Sequence, residues 1–212
     1  MPTPAPPFPS RHPSVIHAAL AGGQQVCLRR ITPADEGLMR EGIARMSPQS
    51  RYLRFFSGMK APPDWVIERL LDVDGDTHLA WGAIASDHAP GERPRCQGIA
   101  IGAVHAFRRE DDPDCAEFSV AVLDDWHSRG VGRLLTATLL LEAQAEGIAT
   151  FHVDTLAENR GAIEFTRALG GTAGTGDGYS RSFTLEVGEA LTRLREECQP
   201  EGLRAVFAAF AA

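Results

Sequence analysis

Asp124 to Arg133 reads D-D-W-H-S-R-G-V-G-R, with Gly130 and Gly132 one residue apart. The pair lies between an alternating segment and a long apolar one, where a strand gives way to a helix. Glycines at such a junction let the backbone turn sharply and present successive N–H groups. The first N–H groups of a helix have no internal partner, and the helix dipole makes that end attractive to an anion. The chemistry this suggests is a phosphate or pyrophosphate cradle. A dinucleotide fingerprint is excluded, because its third glycine would fall on Leu135. A P-loop is excluded too, because no Gly-Lys-Ser/Thr follows. A plain tight strand-to-helix turn accounts for the same residues.

The elements around this turn follow from pattern. In residues 115–123 (CAEFSVAVL), Ala116, Phe118, Val120 and Val122 fall on one face, and Glu117, Ser119 and Ala121 on the other. Beyond the turn, Val131, Leu134, Leu135, Thr138 and Leu139 recur at helical spacing, with Gly147 as a stop. Upstream, residues 26–31 predict a first strand. Thr32-Pro33-Ala34-Asp35 reads as a helix start, with a hydroxyl cap, proline in the first turn and an acid behind it. Two more helical stretches follow Ser47-Pro48 and Pro62-Pro63-Asp64, the first carrying Arg51, Tyr52, Arg54, Phe55 and Phe56. Those five either line an acceptor groove or form a core stripe with an exposed basic face, the second being the default. Residues 77–85 and 96–107 are strand-like, separated by a polar loop over 86–95. A strand over 148–156, a helix over 159–169 and a hairpin through 172–187 follow. The order is β-ααα-βββ-α-β-α-ββ, an α+β fold with a mixed central sheet flanked by helices and a helical C-terminal tail.

The 212 residues suit one domain. Six of the 14 prolines fall within the first 13 residues. The expected division is therefore a Pro-rich flexible start over 1–17, a domain over 18–187, and a tail over 188–212 packed on that domain. With 21 Lys+Arg against 28 Asp+Glu, the net charge of −7 disfavours nucleic acid, which demands surplus cations. No apolar run reaches a membrane span, and no apolar signal segment opens the chain. Cys27, Cys96, Cys115 and Cys198 are dispersed, without metal or redox spacing. The expectations are a cytoplasmic protein with reduced thiols, no metal, no membrane partner, and a monomer or homodimer. Asp72, Asp74 and Asp76 resemble a calcium loop but lack its glycine and glutamate, and read as a turn. The histidines other than His127 read as satisfied or exposed rings.

The segment AEFSVAVLDDWHSRGVGRLL, with LAENRGAIEFTRALG at 156–170, resembles the GCN5-related N-acetyltransferase (GNAT) superfamily. Its [QR]-x-x-G-x-[GA] pattern is met by His127, Gly130 and Gly132, with histidine where glutamine or arginine is usual. Its L-x-x-N-x-x-A…L-G pattern is met by Leu156, Asn159, Ala162, Leu169 and Gly170. The stretches over 28–56 and 116–122 look like the acetyltransferase module of bacterial Pat-type protein lysine acetyltransferases. The resemblance covers roughly residues 26–187 and implies a GNAT fold with acetyl-CoA as co-substrate.

It further implies that Glu117 is the general base for an amine acceptor. Val120, Ala121 and Val122 would pair with the pantetheine arm, His127, Ser128, Arg129, Gly130, Val131 and Gly132 would hold the pyrophosphate, and Asn159 would contact the cofactor near its sulfur. Asn159 reads equally as a helix cap. The tyrosine acid of many relatives would fall on Thr166, so none is assigned. The implied acceptor is a protein lysine, as on an acyl-CoA synthetase; the alternatives are a small-molecule amine and a non-catalytic acyl-CoA-binding sensor. Pat-type enzymes couple this module to a regulatory domain, and with the module and tail taking up the remaining residues the expectation is that no such domain is present.

Overall fold

The computed structural model describes residues 13–85, 96 and 98–211. The strands are β1 (Val15–Ala19), β2 (Gln25–Arg30), β3 (His78–Ala85), β4 (Ile99–Arg108), β5 (Cys115–Val122), β6 (Thr150–Leu156), β7 (Thr172–Ala173) and β8 (Ser180–Glu186). The helices are α1 (Glu36–Arg45), α2 (Pro48–Phe55), α3 (Asp64–Leu71), α4 (Val131–Ala145), α5 (Arg160–Ala168), α6 (Val187–Glu197) and α7 (Leu203–Phe210). The strands form one sheet in the order β1-β2-β3-β4-β5-β6-β8-β7, antiparallel everywhere except between β5 and β6.

Local chemistry explains the boundaries. Ser47 caps α2, its Oγ accepting the Ser50 N–H at 3.1 Å with Pro48 behind it. The Asp35 carboxylate accepts the Thr32 N–H at 2.8 Å and closes the turn that leads into α1. Asn159 caps α5 through its Oδ1, which accepts the Ala162 N–H at 3.1 Å. Asp74 gathers the N–H groups of Asp76, Thr77 and His78 into a capped turn.

The main core lies between the sheet and α4. That helix is apolar nearly all round: Leu134, Leu135, Ala137, Leu139 and Leu140 are fully buried. It packs on Phe118 and Phe151, whose rings stack at 5.3 Å. Glu142 is buried on the same helix, paired with Arg30 and accepting the Trp81 indole N–H. A smaller core of Ile31, Ile43, Ile67, Leu71 and Ala80 holds α1 and α3 on the opposite face.

Two expectations change. The ordered fold starts before residue 18: Val15–Ala19 pairs with β2 and buries Ile16 and Ala18. Two alternate apolar side chains outweigh the proline-rich approach to them; residues 1–12 and the 86–95 loop lie outside the described residues. Cys27 and Cys96 are not reduced thiols but a disulfide, their Cα atoms 5.6 Å apart, whereas Cys115 and Cys198 are free. The sheet makes that pairing possible: β2 places Cys27 opposite Ile84 at the end of β3, and Ile99 opens β4 opposite Ala85. The C-terminal tail lies on the core, with Leu203 and Val206 buried and α7 lying across α4 and β1. Among the described residues no helix is long and apolar enough to cross a membrane.

Candidate active site

The parallel pairing of β5 and β6 covers only three residues, Cys115–Glu117 against Thr150–His152. Both strands run on, β5 to Val122 and β6 to Leu156, without pairing further. On its other edge β5 stays bonded to β4 as far as Val122. Alternation then decides which backbone groups are open. The Leu123 N–H donates to the Ile101 carbonyl at 2.9 Å, and a Cβ on Gly102 would lie 2.9 Å from the Ala121 carbonyl oxygen. The odd residues of β5 therefore turn their backbone toward β4, and Val120 and Val122 turn theirs into the split. Of the three residues expected on this edge, Ala121 instead contributes its side chain to a cavity under α1 and α2.

A 3-10 turn over Asp124–Trp126 leads from the split to α4. His127 folds back, its Nε2–H donating to the Val122 carbonyl at 2.9 Å; a carbonyl only accepts, which fixes the tautomer. That ring anchors the turn to the strand. Gly130 has φ of +94°, a conformation natural to glycine, and α4 starts behind it with no side-chain cap. The first helical bond runs from the Leu134 N–H to the Gly130 carbonyl. The N–H groups of Val131, Gly132 and Arg133 are thus left without an acceptor among the described residues. Three such N–H groups at a helix N-terminus suit a phosphate or pyrophosphate. Ser128 and Arg129 shape the turn: Ser128 has φ of +60°, and the Arg129 guanidinium stacks over Trp126 at 5.0 Å.

The two glycines do different work. A Cβ on Gly132 would meet nothing closer than the Phe165 ring at 3.8 Å. A Cβ on Gly130 would lie 2.5 Å from the Pro200 side chain, in the link between α6 and α7. The tail therefore abuts the turn, and Arg133 reaches it as well, 2.9 Å from Glu197.

Glu117 is exposed at the apex of the split, in register with Phe107 on β4 and His152 on β6. On the same face Ser119 accepts the Arg54 Nη2–H at 2.9 Å. Arg54 is therefore not part of an exposed basic face: it is partly buried and turns inward, and loss of water lowers its pKa to about 10. His105, opposite Ser119, is buried with His78. The His78 Nδ1–H donates to the Asp72 carbonyl at 2.8 Å, leaving its Nε2 to accept the His105 Nδ1–H at 3.0 Å. Burial holds both rings below the usual histidine range, so both are neutral near pH 7. Neither Arg54 nor His105 carries a local signal, because each acquires its role from a strand far away in sequence. Asn159 spends its oxygen on the α5 cap, leaving its amide nitrogen for another partner. Thr166 is buried.

Comparison with known proteins bears on the family and the fold. The model of the acetyltransferase (GNAT) family matches residues 59–170. Acetyltransferase PA5475 of Pseudomonas aeruginosa is 27% identical over 152 residues, covering 72% of this chain and 77% of that protein. Acetyltransferase Pat of Mycolicibacterium smegmatis is 26% identical over 148 residues, covering 70% of this chain but 41% of that protein. The crystal structure of the GNAT domain of S. lividans PAT superposes with a TM-score of 0.72 at 22% identity, covering 84% of this chain and 99% of that one.

Proposed function

The chain belongs to the acetyltransferase (GNAT) family, and from that premise we propose that it transfers an acetyl group from acetyl-CoA to a primary amine, the side chain of a protein lysine. The observation that carries this reading is the split between β5 and β6 ending at an uncapped helix N-terminus. The Val120 and Val122 backbone would pair with the pantetheine arm as an added strand does. The N–H groups of Val131, Gly132 and Arg133 would take the pyrophosphate.

A lysine amine is protonated near pH 7, its ordinary pKa being about 10.4, and must lose a proton before it attacks. Glu117 stands at the apex of the split and takes that proton, directly or through water. The freed nitrogen attacks the thioester carbonyl, and a β5 N–H on the open edge stabilises the oxyanion. Collapse expels the CoA thiolate, which with an ordinary thiol pKa of about 8.5 leaves without a tyrosine acid, and the second nitrogen proton passes to solvent as the amide forms. The matched Pat protein supports a lysine acceptor by its kinship to this chain.

Replacing Glu117 by glutamine should lower kcat by about 10²–10⁴, the usual loss for a general base, while acetyl-CoA affinity measured by calorimetry is retained. Free thiol release at the wild-type rate would remove Glu117 from the mechanism.

A further inference from the structure

The cavity under α1 and α2, about 90 Å³, opens beside the end of β5 and is walled mostly by apolar groups such as Met39, Ile43, Leu70 and Ala103. Three charged side chains reach it: Arg29, Asp35 and Arg54. Arg29 and Asp35 grip each other through two hydrogen bonds of 2.8 and 2.5 Å and cancel. His105 also lines the cavity, and burial keeps its ring neutral near pH 7. Arg54 remains. Among the described residues its polar partner is the Ser119 hydroxyl, with the Phe55 ring 5.2 Å from its Cζ and no carboxylate within ion-pair distance. Loss of water lowers its pKa to about 10. The wall carries one uncompensated positive charge in an apolar setting, where such a charge is costly unless paired.

This bears on the acceptor, because Glu117 lies on the same face of β5 as Ser119, two residues or about 7 Å along the strand. An ammonium group arriving alone meets the repulsion of Arg54. An ammonium group accompanied by an anion is drawn in and oriented. We propose that the Arg54 guanidinium seats a carboxylate of the acceptor, so that the substrate is an amine accompanied by a carboxylate. This deepens the proposed acetyl transfer and rests on it. The carboxylate belongs either to a free amino acid or to an acidic residue beside a protein lysine; the chemistry at Arg54 is the same.

The test uses the full chain, acetyl-CoA and matched acceptors: β-alanine against β-alaninamide, and lysine-centred peptides with aspartate or asparagine beside the lysine. Thiol release gives kcat/KM, and calorimetry on the CoA-bound protein gives acceptor affinity. The acid of a pair should exceed its amide by about 10- to 100-fold, the worth of one charged hydrogen-bonded contact, mainly through KM. Preference in the first pair identifies a free amino acid, and preference in the second an acidic neighbour of lysine. In Arg54→Gln the acid-to-amide ratio should fall to about one, and Arg54→Lys should restore part of it, which a purely structural role would not do. Equal turnover and equal binding within both pairs would overturn the anchor while leaving acetyl transfer intact. Tighter binding of the acids without thiol release would keep the anchor and remove the transfer reading.

Discussion

Gly130 and Gly132 look alike in the sequence, yet one is held by the protein and the other borders the split. At Gly130 any side chain meets both a φ of +94° and Pro200, so Gly130→Ala should lower the thermal midpoint. Gly132 has ordinary space around it, with Phe165 and Val122 nearest. A leucine there would project toward Val122 of β5 and Phe165 of α5, beside the split. Gly132→Leu should therefore weaken acetyl-CoA binding by about tenfold or more at near-normal thermal stability, read by calorimetry and melting together. Unchanged affinity would detach the turn from cofactor binding. The glycines were legible because a junction of strand and helix is a local pattern. The meaning of Gly130 was not, since Pro200 reaches it from a tail 70 positions away. His127 is similar: its spacing was visible, but its bond to the Val122 carbonyl required the folded turn.

Elements with a strong period stood where the sequence placed them, and their relations to one another did not show. The alternation of β5 and the apolar run of α4 are such cases. What joins α2 to the β5–α4 turn is Asp124, whose carboxylate accepts the Ser47 N–H at 3.0 Å and the Ser47 and Ser50 hydroxyls at 2.8 and 2.7 Å. Burial opposes its charge, but these donors prevail and hold its pKa at about 2, below the ordinary 3.8. The sign follows from linkage: the depressed pKa adds stability that is fully present above about pH 4 and is lost as pH falls toward 2. The margin of wild type over Asp124→Asn in urea midpoint should be constant from pH 5 to 7 and shrink on acidification below about 4. A margin independent of pH would mean the carboxylate charge does not hold α2. Ser47 was readable as a helix cap, but its second partner lies 77 residues on. The pairing of Cys27 with Cys96 escaped for the same reason, since spacing alone does not set disulfide connectivity.

At the scale of the whole molecule, eight strands hide a weak seam. Five strands, β1 to β5, and three, β6 to β8, meet through three residue pairs before the edges part. The rest of the joint is α4 and the buried side chains beneath it. A donor arm lying along Val120 and Val122 would add a ribbon where the sheet lacks one, along an edge that has no strand partner there. Binding to the folded state alone adds about 2.7 kcal/mol of stability at roughly a hundredfold excess over Kd. Acetyl-CoA should accordingly raise Tm and slow amide exchange at Val120 and Val122 more than in β2 or β3; uniform protection would mean the seam is not where the donor lies. Acetyl-CoA bound there, as proposed, would tie the lifetime of the fold to the supply of its donor. In a cell short of activated acetyl groups, the idle protein would be the one most open to proteolysis and turnover.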